Sequence, residues 1–301
     1  EAFFDGHRFS APQLAAVIRK LSPARLRLYD GWGDTDISAS VSADFKTSAL
    51  SEPDGNVEVK DFCMRGNSTS DDYQCEHLRV AFSPSRRGTR LKLSGDFAIA
   101  DIDGKWSVSA FRQYLNTIQA RVFPELYQGN QSVQASGNDE WRFFVQLRKD
   151  DFFNKVLRIP LSLSGPLTVE GLLSEKNKNV SVVASSSGLS YGTFSLRDLR
   201  FYLDGNNESY SCLAQGLKRV GSSDIRFVLD AAARDGVLRS DLGWKDGDYH
   251  RYFGQLSTLT RFERAGGRSR AVVEIVPTEI VMGDTVWTVS SGVFDWEDRI
   301  M

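Results

Sequence analysis

The 301-residue sequence predicts an all-β, mostly antiparallel protein. Gly, Ser, Asn and Asp recur at short, even intervals along the chain, and these are residues that turns favour. The stretches between them alternate apolar and polar side chains, as strands with one dry and one wet face do. Parallel sheets are buried on both faces and lack this alternation, so antiparallel pairing is expected.

The clearest strands lie in the last third of the chain. Ile225–Ala231 and Leu238–Trp244 carry large apolar side chains at alternate positions, with a turn at Arg234–Gly236 between them. A second turn at Lys245–Asp248 leads into His250–Ser257. Gly at such corners supplies the positive φ that two-residue hairpin turns need. This even spacing is typical of a sandwich, a barrel or an open meander.

Residues 271–301 keep the strand pattern up to the end of the sequence. They divide into three strands, AVVEIVPTEIV, TVWTV and VFDWEDRIM, which are separated by the turns MGD and SSG. A strand pattern that continues to Met301, with Glu1 rather than Met as the first residue, predicts a segment of a longer β structure.

Three segments break the alternation, and each predicts a short amphipathic helix. The first spans residues 11–21, the second spans 109–123, and the third covers about two turns at 150–157. In the first segment the apolar side chains at helical spacing are Leu14, Val17, Ile18 and Leu21.

A polar stretch at residues 128–139, rich in Gly, Asn and Ser, predicts a mobile loop or a domain boundary. It separates an N-terminal β segment, residues 1–127, from a C-terminal β segment, residues 140–301. A chain of this length is long enough for two domains or for one large all-β domain.

The formal net charge is −2, and it predicts no binding of nucleic acid, which requires a basic surface. One basic cluster, Arg86, Arg87, Arg90 and Lys92, lies at a predicted turn. We interpret it as a solvated hairpin, with contact to anionic lipid headgroups as the alternative. The sequence has no run of about 18 apolar residues, so no membrane-spanning helix is predicted.

No catalytic motif is recognisable, and the sequence predicts that the protein is not an enzyme. His7, His77 and His250 lack metal-ligand spacing, so neither a metal site nor a cofactor is expected. A glycoside hydrolase needs two facing carboxylates, for which Asp241 and Glu274 are the candidates. Both have polar neighbours in alternating strands, which favours solvated positions.

Three cysteines, Cys63, Cys75 and Cys212, are too few for a disulfide framework. Cys63 and Cys75 flank a predicted hairpin turn, and two interpretations remain open. They form a disulfide in an oxidising compartment, or they are unpaired small apolar residues.

Loose strand patterns, mainly in the second half, carry a resemblance to a known family. They are Phe152–Pro160, Leu167–Ser174, Ser190–Asp204, Tyr252–Phe262 and Pro277–Val289. In these stretches, and in a strand-then-helix pattern at residues 95–126, the chain resembles the TamB-like branch of the AsmA superfamily. Members of that superfamily are envelope proteins of diderm bacteria that form bridge-like lipid-transfer structures.

The resemblance implies an elongated, mostly antiparallel open half-barrel, or β-taco, with an apolar inner face. The implied ligand is a phospholipid or another acyl-chain molecule, transported between the inner and outer membranes or bound during outer-membrane assembly. A periplasmic location is implied, with an inner-membrane anchor outside this sequence and docking of other regions on an Omp85-type outer-membrane barrel. The expected groove lining is Phe227, Leu229, Leu238, Leu242, Trp244, Tyr252, Leu256, Val273, Ile275, Trp287, Phe294 and Trp296.

A competing interpretation is an extracellular β-sandwich that binds glycan or a protein partner. Periodicity alone does not separate a face that lines a groove from one that meets a second sheet. The sandwich interpretation expects Trp side chains exposed on a polar surface. Trp32 and Trp141 are its candidates because they lie near turn-rich stretches.

Overall fold

The computed structural model describes residues 2–5, 13–25, 32–46, 53–66, 71–105, 139–206, 208–247, 251–265, 268–283 and 285–297. Over these residues it contains twenty β-strands and one π-helix. The strands form an open antiparallel sheet. The predicted all-β, mostly antiparallel class is therefore confirmed.

The elements follow one another with short connections. Those up to residue 163 are β1 (Ala2–Asp5), β2 (Gln13–Leu21), β3 (Asp36–Phe45), β4 (Gly55–Arg65), β5 (Tyr73–Ser85), β6 (Gly88–Gly95), β7 (Ala98–Gly104), β8 (Glu140–Leu147), the π-helix (Phe152–Val156) and β9 (Leu161–Leu163). Those that follow are β10 (Leu167–Ser174), β11 (Asn179–Tyr191), β12 (Phe194–Gly205), β13 (Ser209–Val220), β14 (Ser223–Arg234), β15 (Val237–Lys245), β16 (Tyr252–Ala265), β17 (Arg268–Ile275), β18 (Thr278–Met282), β19 (Thr285–Val289) and β20 (Gly292–Glu297).

Contacts divide the chain into two compact units. Unit 1 comprises Glu1–Trp106, Trp141–Glu170 and Ser187–Phe194, and unit 2 comprises Ser107–Glu140, Gly171–Ser186 and Ser195–Met301. This division differs from the expected boundary at residues 128–139, because β8 pairs with β7 and thereby belongs to the N-terminal strands. Except for Asp139, the predicted loop lies outside the described residues.

The first predicted helix, at residues 11–21, is wrong. The described part of this segment forms strand β2, whose backbone pairs with β1 on one side and with β3 on the other. A bulge next to Lys20, which has φ of 52°, brings Leu21 onto the same face as Leu14 and Ile18. A strand with a bulge thus produces the spacing that the sequence pattern attributed to a helix.

The other two predicted helices have different outcomes. The segment 109–123 lies outside the described residues. The third helix is confirmed as the single turn of π-helix at Phe152–Val156. The Trp32 Nε1 donates a hydrogen bond to the carbonyl oxygen of Val156 at 2.5 Å and so ties the end of this helix to the β2–β3 connection.

The core of unit 1 lies where the π-helix packs on the apolar face of its strands. Phe152 stacks on Phe97 with ring centroids 4.0 Å apart, and Tyr73 meets Phe152 edge-on at 5.9 Å. Such aromatic pairs contribute about 0.5–1.5 kcal/mol each beyond the burial of their area. The buried members of this cluster are Ile37, Met64, Tyr73, Cys75, Phe97, Ala98 and Val156.

All three cysteines are free thiols in the described structure. In the β4–β5 pair Cys63 lies opposite Gln74 and Cys75 lies opposite Phe62, so the two thiols are on opposite faces of the sheet. This geometry supports the unpaired interpretation. Burial raises the pKa of the Cys75 thiol, which keeps it in the unreactive protonated form.

We expect Phe97→Ala to destabilise the protein by about 3–5 kcal/mol, because it removes a buried ring and leaves a cavity beside Phe152. Tyr191→Ala is the control, since Tyr191 is exposed and its loss creates no cavity. Urea denaturation of both variants checks this expectation. Equal stability of the two variants would show that the aromatic cluster is not a packed core.

Candidate hydrophobic binding face

The side-chain faces of unit 2 are fixed by the register of β12 to β20. Asp235 and Gly236 join β14 to β15 with φ of 50° and 75°, the two positive values that a type I′ hairpin turn requires. The predicted turn at Arg234–Gly236 is thus confirmed. Because a slip of one residue would exchange the two faces, this turn determines which side chains lie together.

A first row of apolar side chains crosses five consecutive strands. Phe201 of β12 lies opposite Ala214, which lies opposite Leu229, and the row continues through Leu242 to Leu256. Strands lie about 4.8 Å apart, so the row extends about 19 Å across the sheet. It contains no polar side chain.

A second row runs beside the first. Phe227 lies opposite Trp244, Trp244 lies opposite Gly254, and Ile280 lies opposite Trp287. A Cβ at position 254 would lie 2.5 Å from Cζ2 of Trp244 and 2.9 Å from Cγ2 of Ile280. Only glycine fits there, so the absent side chain lets the Trp244 ring lie across β16 towards Ile280.

The remaining predicted residues lie on the same face by register. Leu238 faces Thr260, which faces Val273, which faces Phe294. We call this surface of unit 2 the apolar face. All twelve positions predicted from the sequence belong to it: Phe227, Leu229, Leu238, Leu242, Trp244, Tyr252, Leu256, Val273, Ile275, Trp287, Phe294 and Trp296, the last by its register opposite Ala271.

Most large side chains of the apolar face are not buried, although Ile225, which lies on the same face of β14, is 3% exposed. From Phe227 to Ile275 the predicted members are half-buried, while Trp287 is 56% and Phe294 is 62% exposed. Side chains in a closed core are normally almost inaccessible to solvent and densely packed. The apolar face therefore retains accessible hydrophobic surface, unlike the cluster under the π-helix of unit 1.

The opposite face of the same strands, which we call the charged face, carries ion pairs among apolar side chains such as Leu213 and Phe253, which are 38% and 53% exposed. Arg197 pairs with Asp224 at 2.5 Å, Arg239 pairs with Asp241 at 3.2 Å, and Arg261 pairs with Glu274. Such exposed pairs contribute little to stability, but they keep this face hydrated. The three ion pairs thus lie on the face opposite the apolar face.

The two carboxylates considered for glycoside hydrolysis lie on this charged face. Asp241 accepts hydrogen bonds from Ser257 and from Arg239, and these interactions lower its pKa, the Ser257 bond most. Glu274 accepts a hydrogen bond from Arg261. A general acid needs a raised pKa, which is the reverse of what surrounds Asp241.

Phe201, Ile280 and Met282 are among the residues of the apolar face that were not predicted. Phe201 was missed because β12 carries a bulge between Arg197 and Arg200, which interrupts the alternation along the sequence. Ile280 and Met282 were missed because β16 pairs with both β17 and β18, and the registers of these two pairings differ by one residue. Pro277, between β17 and β18, was the available sequence signal for this change of register.

The two tryptophans that the sandwich interpretation named as exposed candidates are not exposed. Trp141 is buried, packs over Gly104 and donates a hydrogen bond to the carbonyl oxygen of Lys105 at 3.1 Å. Trp32 is half-buried and donates a hydrogen bond to the carbonyl oxygen of Val156. The described strands belong to one sheet rather than to two stacked sheets.

Two of the four residues in the basic cluster at the β5–β6 hairpin pair with aspartates of β7. Arg90 makes two hydrogen bonds to Asp101, at 2.7 and 2.5 Å, and Arg87 reaches Asp103 at 3.1 Å. The Arg90 guanidinium lowers the pKa of Asp101. These carboxylates supply the counter-charge that the alternative interpretation assigned to lipid headgroups, so the pairing favours the solvated hairpin.

Comparisons with protein-family models, curated proteins and solved structures found no match for this chain. Within the described ranges, no helix has the length and apolar content needed to cross a membrane. In the same residues no group of three or more His, Cys, Asp or Glu is arranged to hold a metal ion.

We expect Asp101→Asn to destabilise the protein by less than about 1 kcal/mol at pH 7, because its pair with Arg90 is partly exposed. The lowered pKa means that this contribution is present above the unfolded value of about 3.9 and is lost as the pH falls through the folded pKa. Urea denaturation at pH 7 and at pH values below 3.9 measures the difference. A double-mutant cycle with Arg90→Gln isolates the pair, and a coupling that does not decrease in acid would contradict this origin.

Proposed function

We propose that unit 2 binds the acyl chains of phospholipid, or of a similar lipid, along its apolar face. The observation that carries this proposal is that all twelve predicted positions lie on one face and that the predicted side chains described there remain half-buried or exposed. No reacting group is required, because the ligand is held by burial of hydrocarbon. The proposed protein is a lipid carrier and not an enzyme.

The energetics favour a hydrocarbon ligand over a polar one. Each methylene that leaves water for the apolar face contributes about 0.8 kcal/mol. Contiguous exposed apolar surface of several hundred Å² is unusual for a soluble monomer and marks sites of interaction. A glycan would require hydrogen-bond partners, and the row from Phe201 to Leu256 offers none.

The dimensions also fit. One leaflet of a bilayer has a hydrocarbon thickness of about 15 Å, which is half of the core thickness. The first row extends about 19 Å across five strands, so an extended acyl chain can lie along it. Most side chains next to the first row are also apolar, so a bound acyl chain can shift along the face and keep its contacts with apolar side chains.

The family and the location belong to the same proposal. The chain is proposed to be a periplasmic segment related to the TamB-like branch of the AsmA superfamily. It would transport phospholipid between the inner and outer membranes, or serve in outer-membrane assembly, with an Omp85-type barrel as the partner of regions outside this sequence. Support comes from the open antiparallel sheet and from the resemblance in its strand patterns.

A photo-crosslinking residue at Leu229 should form adducts with lipid in cells, because Leu229 lies in the middle of the first row. The matched control is the same residue at Val228, which is adjacent in sequence and on the charged face. We expect several-fold more lipid adduct at position 229, as detected by mass spectrometry of the purified protein.

Two outcomes would contradict the proposal. Adducts of equal yield at positions 228 and 229 would show contact with lipid that does not depend on the face. Absence of adducts at both positions, with the protein folded, would show that the apolar face holds no lipid. A circular dichroism spectrum of each variant verifies the fold.

A further inference from the structure

One row of the apolar face carries small side chains, two of which have hydroxyl groups. Across the strands Cys212 lies opposite Ala231, Ala231 lies opposite Ser240, and Ser240 lies opposite Thr258. We call these four residues the hydroxyl row. Side chains on one face of a strand recur at every second residue, so this row lies between the first row and the row that contains Leu238. Its small side chains leave a shallow depression next to the leucines of the first row.

A third hydroxyl group, that of Thr260, lies beside the hydroxyl row. Thr260 follows Thr258 by two residues on β16, so both side chains lie on the same face. Thr260 lies between Leu238 and Val273 across the strands, and only 9% of it is exposed. Within the described part of the chain, no hydrogen-bond partner is found for the hydroxyl groups of Ser240, Thr258 and Thr260.

An acyl chain on the apolar face would take these hydroxyl groups out of water. A hydroxyl group that loses water without gaining a hydrogen-bond partner costs free energy. The ligand offsets this cost if it brings an acceptor oxygen to the place where the three hydroxyl groups lie. A pure hydrocarbon has no such oxygen.

The acceptor that fits this place is uncharged. Among the described residues, no charged side chain belongs to the hydroxyl row or to the row on either side of it. A carboxylate or a phosphate would lose its hydration here without gaining a cation as its partner. The carbonyl oxygen of an ester accepts hydrogen bonds and carries no net charge.

We infer that Ser240, Thr258 and Thr260 donate hydrogen bonds to the ester carbonyl oxygens of a diacyl lipid. This inference rests on the proposed function and adds to it the part of the lipid that the protein recognises. Cβ atoms of directly opposite residues are about 4.5–5.5 Å apart, and residues two positions apart on a strand are about 6.8 Å apart. The two ester groups of a diacyl lipid are attached to adjacent carbons of one glycerol, so together they reach neighbouring hydroxyl groups.

Isothermal titration calorimetry of the full 301-residue chain with a short-chain diester phosphatidylcholine, below its critical micelle concentration, tests this inference. The comparison ligand is the diether lipid with the same head group and chain length, which lacks both carbonyl oxygens. We expect the wild-type protein to bind the diester at least about fivefold more tightly, since one neutral hydrogen bond changes an affinity by about that factor.

A triple variant with Ser240→Ala, Thr258→Val and Thr260→Val should lose this preference. Its affinity for the diether should equal that of the wild type, because the substitutions keep the size of each side chain, and this equality also shows that the variant is folded. Ser257→Ala is the matched control, since it removes a hydroxyl group of the same strand on the charged face, where Ser257 donates a hydrogen bond to Asp241. The control should keep the preference of the wild type.

The failure of this inference differs from the failure of the proposed function. Equal affinity of the wild type for the two lipids, or a triple variant that still prefers the diester, would overturn the inference and leave acyl-chain binding standing. Binding of neither lipid by the wild type would overturn the proposed function and this inference together.

Discussion

The antiparallel register of the strands is the constraint on which the rest of the structure depends. Side chains alternate between faces with a period of two, so a slip of one residue at any hairpin would move every apolar side chain beyond it to the charged face. The type I′ turn at Asp235 and Gly236 and the close approach of Trp244 to Gly254 both define this register in unit 2. The register places the predicted lining residues together on one face and the ion pairs on the other.

The two units use their apolar faces differently. In unit 1 the π-helix covers part of the face, and Phe152, Phe97 and Tyr73 form a packed core. In unit 2 the large side chains predicted to line the apolar face are half-buried or exposed where the structure describes them. The buried apolar residues of the described part of this unit are Leu173, Val180, Ile225, Ala233 and Ala271. Stability in unit 1 therefore comes from packing of rings, whereas the apolar face of unit 2 keeps hydrophobic surface that a ligand can cover.

Much of unit 2 was predictable because β14, β15 and β16 alternate regularly and are joined by turns with clear signals. The errors lie where a bulge breaks the period. At Lys20 a bulge gave a strand the apolar spacing of a helix. At the β17–β18 junction a change of register kept Ile280 out of the residues predicted for the apolar face. The alternation of apolar and polar residues also could not distinguish a face that lines a groove from a face buried in a core. That difference depends on what packs against the face.

Fluorescence quenching by phospholipid with brominated acyl chains measures contact between hydrocarbon and the apolar face. Bromine quenches a tryptophan only at short range, and Trp244 lies in the second row above Gly254. The wild-type protein should be quenched more strongly than Trp244→Phe at equal lipid concentration, and lipid without bromine should quench neither. Equal quenching of the two proteins, or none in the wild type, would contradict binding of acyl chains along this face.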